Sequence, residues 1–403
     1  MKYSVNFTCP FCGKTHYVIV DAADWINYTE GVLAQNAFPD LSATEREQII
    51  SHLCPECQDK IFNTDDDDEK IDWSSYDGKD YELSKSITIN SEGVYNLTGT
   101  IEDGSITINT SGNVKLVLNN VSITNSSGPA IYIANASDVV IELADGSTNY
   151  LEDGSTYSGY EEDEVGVIFS HDDLTIEGTG TLVVKANNED GIVSKDDLKI
   201  ISGNYDITSK DDGIRGKDSV YIKDGTFKIV AGGDGIKSTN DADEGKGFIL
   251  IENGTFEIEA DLDGIQAETK LVIEDGTFNI TTGGGSKTTS VQESWGMWGN
   301  NKSQSNSNSA KGLKAGDNLV IENGTINATK RALAVFSGGS LTIGQDAEII
   351  SGDVAVGVNG AGSEGIMDDG EITAQETGIL VTTGARLEMN GGTITGLDNG
   401  PIM

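Results

Sequence analysis

The sequence predicts an all-β chain, a parallel β-solenoid preceded by a small cysteine-bearing module, and three observations carry that reading. The first is a phrase written four times, beginning Asp190-Gly191-Ile192, Asp212-Gly213-Ile214, Asp234-Gly235-Ile236 and Asp263-Gly264-Ile265, in steps of 22, 22 and 29 residues. Its companion keeps pace as Gly203-Asn204-Tyr205, Gly225-Thr226-Phe227, Gly254-Thr255-Phe256 and Gly276-Thr277-Phe278. A fixed period near 22, built from β-formers and turn residues without helical periodicity, is how a chain winds into stacked coils. The second is composition: 50 glycines stand against 5 prolines, of which only Pro129 and Pro401 lie beyond residue 63. Many paired strands joined by tight turns have little room for a residue without a backbone donor. The third is that all four cysteines fall within residues 1–63.

Residues 1–63 carry Cys9-Pro10-Phe11-Cys12 and Cys54-Pro55-Glu56-Cys57. Two Cys-x-x-Cys knuckles supply four thiolates, the set that Zn²⁺ takes in closed structural sites, and such a site leaves no open position for catalysis. Two disulfides or a redox pair are the competing readings, and both sit less well with a chain that shows no secretion signal. Between the knuckles the sequence reads as a strand at Tyr17–Val20, a loop, and a helix announced by Ser42-Ala43-Thr44-Glu45 and running to about His52. The module resembles the small zinc-ribbon-type domains, a resemblance that implies an adaptor or a surface for docking another protein. Residues 64–72, with Asp65-Asp66-Asp67-Asp68-Glu69, read as a solvated acidic linker.

From residue 73 to 403 short alternating strands follow one another: Ser86–Ile89, Ser105–Ile108, Lys115–Leu118, Val139–Leu143, then Leu319–Ile321, Leu341–Ile343 and Gly392–Ile394. At 22–25 residues per coil this makes about 13–14 coils, a rod of about 65 Å at roughly 4.8 Å per coil. Ile222, Phe227, Ile229, Ile251, Phe256, Ile258, Ile273, Phe278 and Ile280 are the predicted core. Such a rod needs a cap over its end strands, and Tyr76–Tyr95 is the candidate.

The formal net charge is −40. It argues against nucleic acid or an anionic membrane as partner and for a soluble surface or cation binding. No run of about 20 apolar residues is present to insert into a membrane. Met1-Lys2-Tyr3-Ser4-Val5-Asn6 lacks the apolar stretch of a secretion signal, so the chain is expected to stay inside the cell or to leave by another route.

Stacking turns repeated side chains into columns. Asp190, Asp212, Asp234 and Asp263 would stand about 5 Å apart, repelling by about 3 kcal/mol per pair at an effective dielectric of 20. Ca²⁺ suits such a column because it takes six to eight oxygens in irregular geometry, and Asp211, Asn240, Asp241, Asp243, Glu244 and Asp261 supply more. Alternatively each Asp closes its own Asp-Gly turn. Three residues beyond each Asp stand Val193, Arg215, Lys237 and Gln266, with Lys314 in the matching place after Gly312. This column either grips carboxylate or hydroxyl groups on successive sugars or balances the neighbouring aspartates. Residues 283–310 interrupt the coils, and Trp295 and Trp298 offer flat faces to sugar rings or fold back as a lid.

Asp212-Gly213-Ile214, Asp234-Gly235-Ile236-Lys237-Ser238-Thr239-Asn240, Asp263-Gly264-Ile265-Gln266-Ala267-Glu268-Thr269, Gly283-Gly284-Gly285-Ser286 and Ala310-Lys311-Gly312-Leu313-Lys314-Ala315 closely resemble the clostridial β-helix carbohydrate-binding family, over about residues 73–345. The resemblance implies a right-handed parallel β-helix similar to pectate lyases, calcium on the helix, and binding of cellulose or polygalacturonate without established catalysis. Members of that family are typically exported, whereas this chain opens with a cysteine module. The expectation is therefore a non-catalytic, calcium-dependent polysaccharide binder. A pectate-type lyase using Arg215 or Lys237 as base, and a structural adhesin fibre, are the alternatives.

Overall fold

The computed structural model describes residues 2–9, 14–29, 37–50, 54–57, 71–161, 163, 165–243, 245–283, 310–329, 331–335, 339–358 and 360–402. The chain divides into two units, Met1–Asp72 and Trp73–Met403. Among the described residues no helix is long and apolar enough to cross a membrane.

In the first unit Lys2–Thr8 pairs antiparallel with Thr15–Asp21, from Lys2 opposite Asp21 to Thr8 opposite Thr15. The sequence reading had only the second of these strands, although Val5 and Phe7 alternate in the first. Phe7, Val18 and Val20 meet Ala37, Phe38 and Ile49 in a small core. Two helices, Ala22–Thr29 and Ala43–Ile50, complete it. The capping box forms in both directions: the Glu45 N–H donates to Ser42 Oγ at 3.1 Å, and the Ser42 N–H donates to Glu45 Oε2 at 2.9 Å. His52 and the acidic run Asp65–Glu69 lie outside the described residues.

The second unit is a helix-like stack of parallel β coils. Its strands form one sheet of 13 and another of 21 among the described residues. One coil runs as the three-residue strand Ile214–Gly216, then Ser219–Ile222, then Thr226–Ala231. Each strand pairs in parallel with its equivalent in the next coil, so Ile192, Ile214, Ile236, Ile265 and Leu313 lie over one another. The 29-residue step keeps this register because its extra residues leave the stack between Ile236–Ser238 and Phe248–Ile251. At the near end Lys79–Leu83, short and mostly exposed, pairs with Gly93–Ile101 and covers the first edge.

Inside the stack Tyr205, Phe227, Phe256 and Phe278 form one column, ring centroids 4.8, 4.7 and 4.5 Å apart and planes within 4° of parallel. The hydrogen-bonded spacing of the strands, about 4.8 Å, sets those separations. Parallel rings spaced so far apart reach contact by sliding into an offset stack, the arrangement their quadrupoles favour. Two glycine columns make room. Gly203, Gly225, Gly254 and Gly276 adopt φ between 129° and 150°, which L side chains avoid. After each aspartate a glycine lets neighbouring coils close up: a Cβ on Gly213 would stand 2.6 Å from the Gly235 carbonyl oxygen.

Phe256 sits in the middle of the aromatic column and is fully buried, so Phe256→Ala is expected to lower unfolding stability by about 3–5 kcal/mol. The exposed neighbour Glu257→Ala should change it by less than about 0.5 kcal/mol. Denaturant unfolding of the two variants checks this, and equal effects would show that the column is not what binds the coils.

Candidate functional site

The Asp-Gly-Ile repeat places its aspartates immediately before the short strands, and stacking buries all four. Their carboxylates do not close their own turns. Instead each reaches to the next coil: the Asp212 N–H donates to Asp190 Oδ1 at 2.9 Å, the Asp234 N–H to Asp212 Oδ1 at 2.8 Å, and the Asp263 N–H to Asp234 Oδ1 at 2.8 Å. The Lys311 N–H completes the series on Asp263 Oδ1 at 2.8 Å. The alternative in which each aspartate closes its own Asp-Gly turn gives way to this arrangement, because the parallel register brings the equivalent backbone amide of the neighbouring coil closer.

The second carboxylate oxygens face the basic column, which the register places in one line: Val193, Arg215, Lys237, Gln266 and Lys314 are successive partners. Arg215 Nη2 lies 2.6 Å from Asp190 Oδ2. Lys237 Nζ bridges Asp212 at 3.2 Å and Asp234 at 2.8 Å. Lys314 Nζ meets Asp263 at 3.0 Å and Gln266 Oε1 at 2.9 Å. The three basic side chains remain 22%, 24% and 28% exposed, so the ladder has a buried acidic rail and a half-open basic one.

Burial pushes the Asp190 carboxyl up to about 7, against the pull of Arg215 and with help from Asp212. Asp212 rises to about 6 for the same reason, opposed by Lys237 and reinforced by Asp234. Burial alone would lower the Lys237 ammonium, but Asp212 and Asp234 outweigh it and hold its proton more tightly than usual. A lysine shifted in that direction is poorly suited to act as a base.

Among the described residues, Asp190, Asp211 and Asp212 each bring one carboxylate oxygen within 4.8 Å of the others, with Asp211 exposed to solvent. That donor set has the hard oxygens and negative charge that Ca²⁺ selects. Asp241 and Asp243 are exposed on the 239–247 excursion, where Asp243 accepts from Asn240 Nδ2 at 2.9 Å. Glu244, Trp295 and Trp298 lie outside the described residues. The excursion instead folds Asn240 and Lys246 onto Asp218, with Lys246 also 3.9 Å from Asp196. Asp196 and Asp218 share a hydrogen bond, and burial together with that contact raises the Asp196 carboxyl. This second acidic group escaped the sequence reading, yet its signal was present: Lys195-Asp196 and Lys217-Asp218 stand 22 residues apart, the same period as the main repeat.

In the first unit Cys9, Cys54 and Cys57 are buried and bring their sulfurs within 4.8 Å of one another. The Cys57 N–H donates to the Cys54 carbonyl at 2.9 Å, closing a tight turn at the second knuckle. Cys12 lies outside the described residues. Three gathered soft donors suit Zn²⁺.

A profile of carbohydrate-binding domain-containing proteins matches residues 84–357. A carbohydrate-binding domain-containing protein of Acetivibrio thermocellus is 37% identical over 147 residues, 35% of this chain and 51% of the relative. The chain thus spans about half the length of that curated relative. A solved structure, the polysaccharide lyase-like protein from C. thermocellum as its gadolinium derivative, is 34% identical, with a TM-score of 0.49, over 51% of this chain and 91% of its own.

The buried aspartates give a pH dependence of defined sign. An unfolded aspartate titrates near about 3.9, so between roughly pH 4 and 7 the folded chain holds protons on Asp190 and Asp212 that the unfolded chain releases. Their contribution to stability therefore falls as pH rises through that window, by a few kcal/mol in order of magnitude. In metal-free buffer the unfolding midpoint should drop between pH 5 and 7.5. Asp190→Asn with Asp212→Asn, which mimics the protonated pair, should flatten that slope; an unchanged slope would refute the assignment.

Proposed function

The chain belongs to the family of carbohydrate-binding domain-containing proteins, and on that premise we propose that residues 73–403 wind as a right-handed parallel β-helix that binds polysaccharide of the cellulose or pectin class, with calcium and without turnover. The observation that carries the reading is the basic rail: Arg215, Lys237, Gln266 and Lys314 repeat at the coil spacing along one half-open face. A linear polymer presents its own groups at a regular step, and a matching row of donors binds it through many modest contacts. For calcium the strongest support lies at Asp190, Asp211 and Asp212, where a divalent ion would offset carboxylates that burial otherwise drives toward protonation. Asp234 and Asp263 serve the ladder, and Asp241 and Asp243 stand on the excursion, so they rank behind those three.

Turnover of the lyase type needs a group that gives up its proton near neutrality. Lys237, the basic group between two aspartates, is shifted the other way. That direction counts against a lyase with Lys237 as its base and supports binding without bond cleavage at this face. For the first unit we propose a structural zinc held by Cys9, Cys12, Cys54 and Cys57, which would tie both knuckles together and leave the module as a surface for docking another protein.

Two tests follow from these readings. Full-length protein should be retained by insoluble cellulose or slowed in gels containing polygalacturonate. Lys237→Gln with Lys314→Gln should weaken retention by about tenfold and chelator should weaken it further. An unsaturated product absorbing in the ultraviolet after incubation with pectate and calcium would overturn the non-catalytic reading. Metal analysis of the purified chain should find one zinc. Cys57→Ser should lose it together with the fold of the first unit while the unfolding of the second stays unchanged; a zinc content unaffected by that substitution would count against the site.

A further inference from the structure

We propose that a small cleft beside the basic rail is a subsite for one anionic substituent of the bound sugar chain, a carboxylate or a sulfate ester. This deepens, and rests on, the polysaccharide-binding reading. The cleft measures about 40 Å³ and is lined by Val193, Ser194, Lys195, Arg215, Lys217 and Thr239. That is room for a single small polar group, not for a sugar ring. Its charge runs against the whole molecule: in a chain with 66 acidic and 26 basic residues, the lining carries three basic side chains and no carboxylate.

The coil register builds this concentration. Lys195 and Lys217 occupy the same position in successive coils, the Lys195 N–H donating to the Ser170 carbonyl at 2.9 Å and the Lys217 N–H to the Ser194 carbonyl at 3.0 Å. Arg215 enters from the adjacent strand, opposite Val193. Lys195 pairs with the exposed Asp163, while exposed Lys217 makes no ion pair among the described residues.

Arg215 points to a ligand independently of this charge. One end of its guanidinium is committed to Asp190, but its Nε–H is buried and finds no acceptor among the described residues. An oxygen entering the cleft that Arg215 lines would supply this donor with an acceptor, and the fixed fork of a guanidinium suits the oxygens of a carboxylate or sulfate. Ser194 Oγ is already used, donating to the Asp172 carbonyl at 3.0 Å and accepting the Asp196 N–H at 3.1 Å. Lys195 and Arg215 already have carboxylate partners, so a neutral hydroxyl in the cleft would leave the Lys217 ammonium without a counter-charge, whereas an anionic group meets it. The same local charge explains how a chain of net charge −40 can hold an acidic polymer at all.

Affinity electrophoresis of the full-length protein in polygalacturonate, in its fully methyl-esterified form and in a sulfated galactan tests the proposal. Protection of lysines from acetylation by trigalacturonate, read by mass spectrometry, runs alongside. The free acid should be retained at least about tenfold more strongly than the ester, and Lys195 and Lys217 should be protected. Lys195→Gln with Lys217→Gln should remove that preference while retention on neutral cellulose stays unchanged. Arg215→Lys, which keeps a cation for Asp190 but loses the planar Nε–H, should reduce the preference in a chain that still folds. Stronger retention by the sulfated galactan, with the same variant pattern, would support the subsite and assign the substituent as a sulfate ester. Equal retention of acid and ester, together with unprotected lysines, would overturn the proposal. Protection without retention of any polymer would leave the subsite standing and refute the broader polysaccharide reading.

Discussion

The hydrogen bond between one coil and the next is the constraint on which everything else in the second unit depends. It fixes a spacing near 4.8 Å and a parallel register, and every column in the stack inherits both. Phe227, Phe256 and Phe278 stack because their strands do. The aspartates reach a neighbouring amide because that amide is the same residue one coil on. The basic rail is straight for the same reason. The chain needs no separate device to assemble its surface; repetition in sequence becomes repetition in space.

The acidic rail shows how such a stack deals with buried charge. A carboxylate out of water is costly unless hydrogen bonds and a counter-charge meet it. Here one oxygen takes a backbone donor and the other faces an arginine or lysine. The compensation is incomplete at Asp190 and Asp212, whose carboxyls burial keeps near neutrality in their titration. Those two aspartates are also the ones that the exposed Asp211 joins, so electrostatic strain and access to solvent coincide at one end of the ladder.

Much of this was legible in the sequence, and the limits follow from what a period can convey. A 22-residue step identifies which positions share a column, and so the order Arg215, Lys237, Gln266, Lys314 and the buried set from Ile222 to Ile280 could be read directly. It does not say which backbone group lies above a side chain, which is why the period leaves open whether the aspartates close their own turns or reach across coils. The Lys-Asp pair at 195–196 and 217–218 fills that place in the repeat only twice and is hard to single out among 66 acids. The cleft it helps to form depends on side-chain directions around a corner, which spacing cannot encode. In the first unit the paired cysteines and the capping box are plain, whereas the strand Lys2–Thr8 is marked only by the alternation of Tyr3, Val5 and Phe7.

Residues 239–243 and 245–247, which leave the stack between two strands without disturbing the pairing of either, have an evolutionary corollary. Length can change freely at such a corner, since lengthening a loop costs little entropy, whereas a single residue gained inside a strand would turn an apolar side chain outward. Descendants of this architecture are thus free to diversify at their corners, or to gain and lose whole windings by duplication. Altering the interior by ones and twos is closed to them. Recognition of new polymers would then arise by redecorating the corners of an unchanging spool.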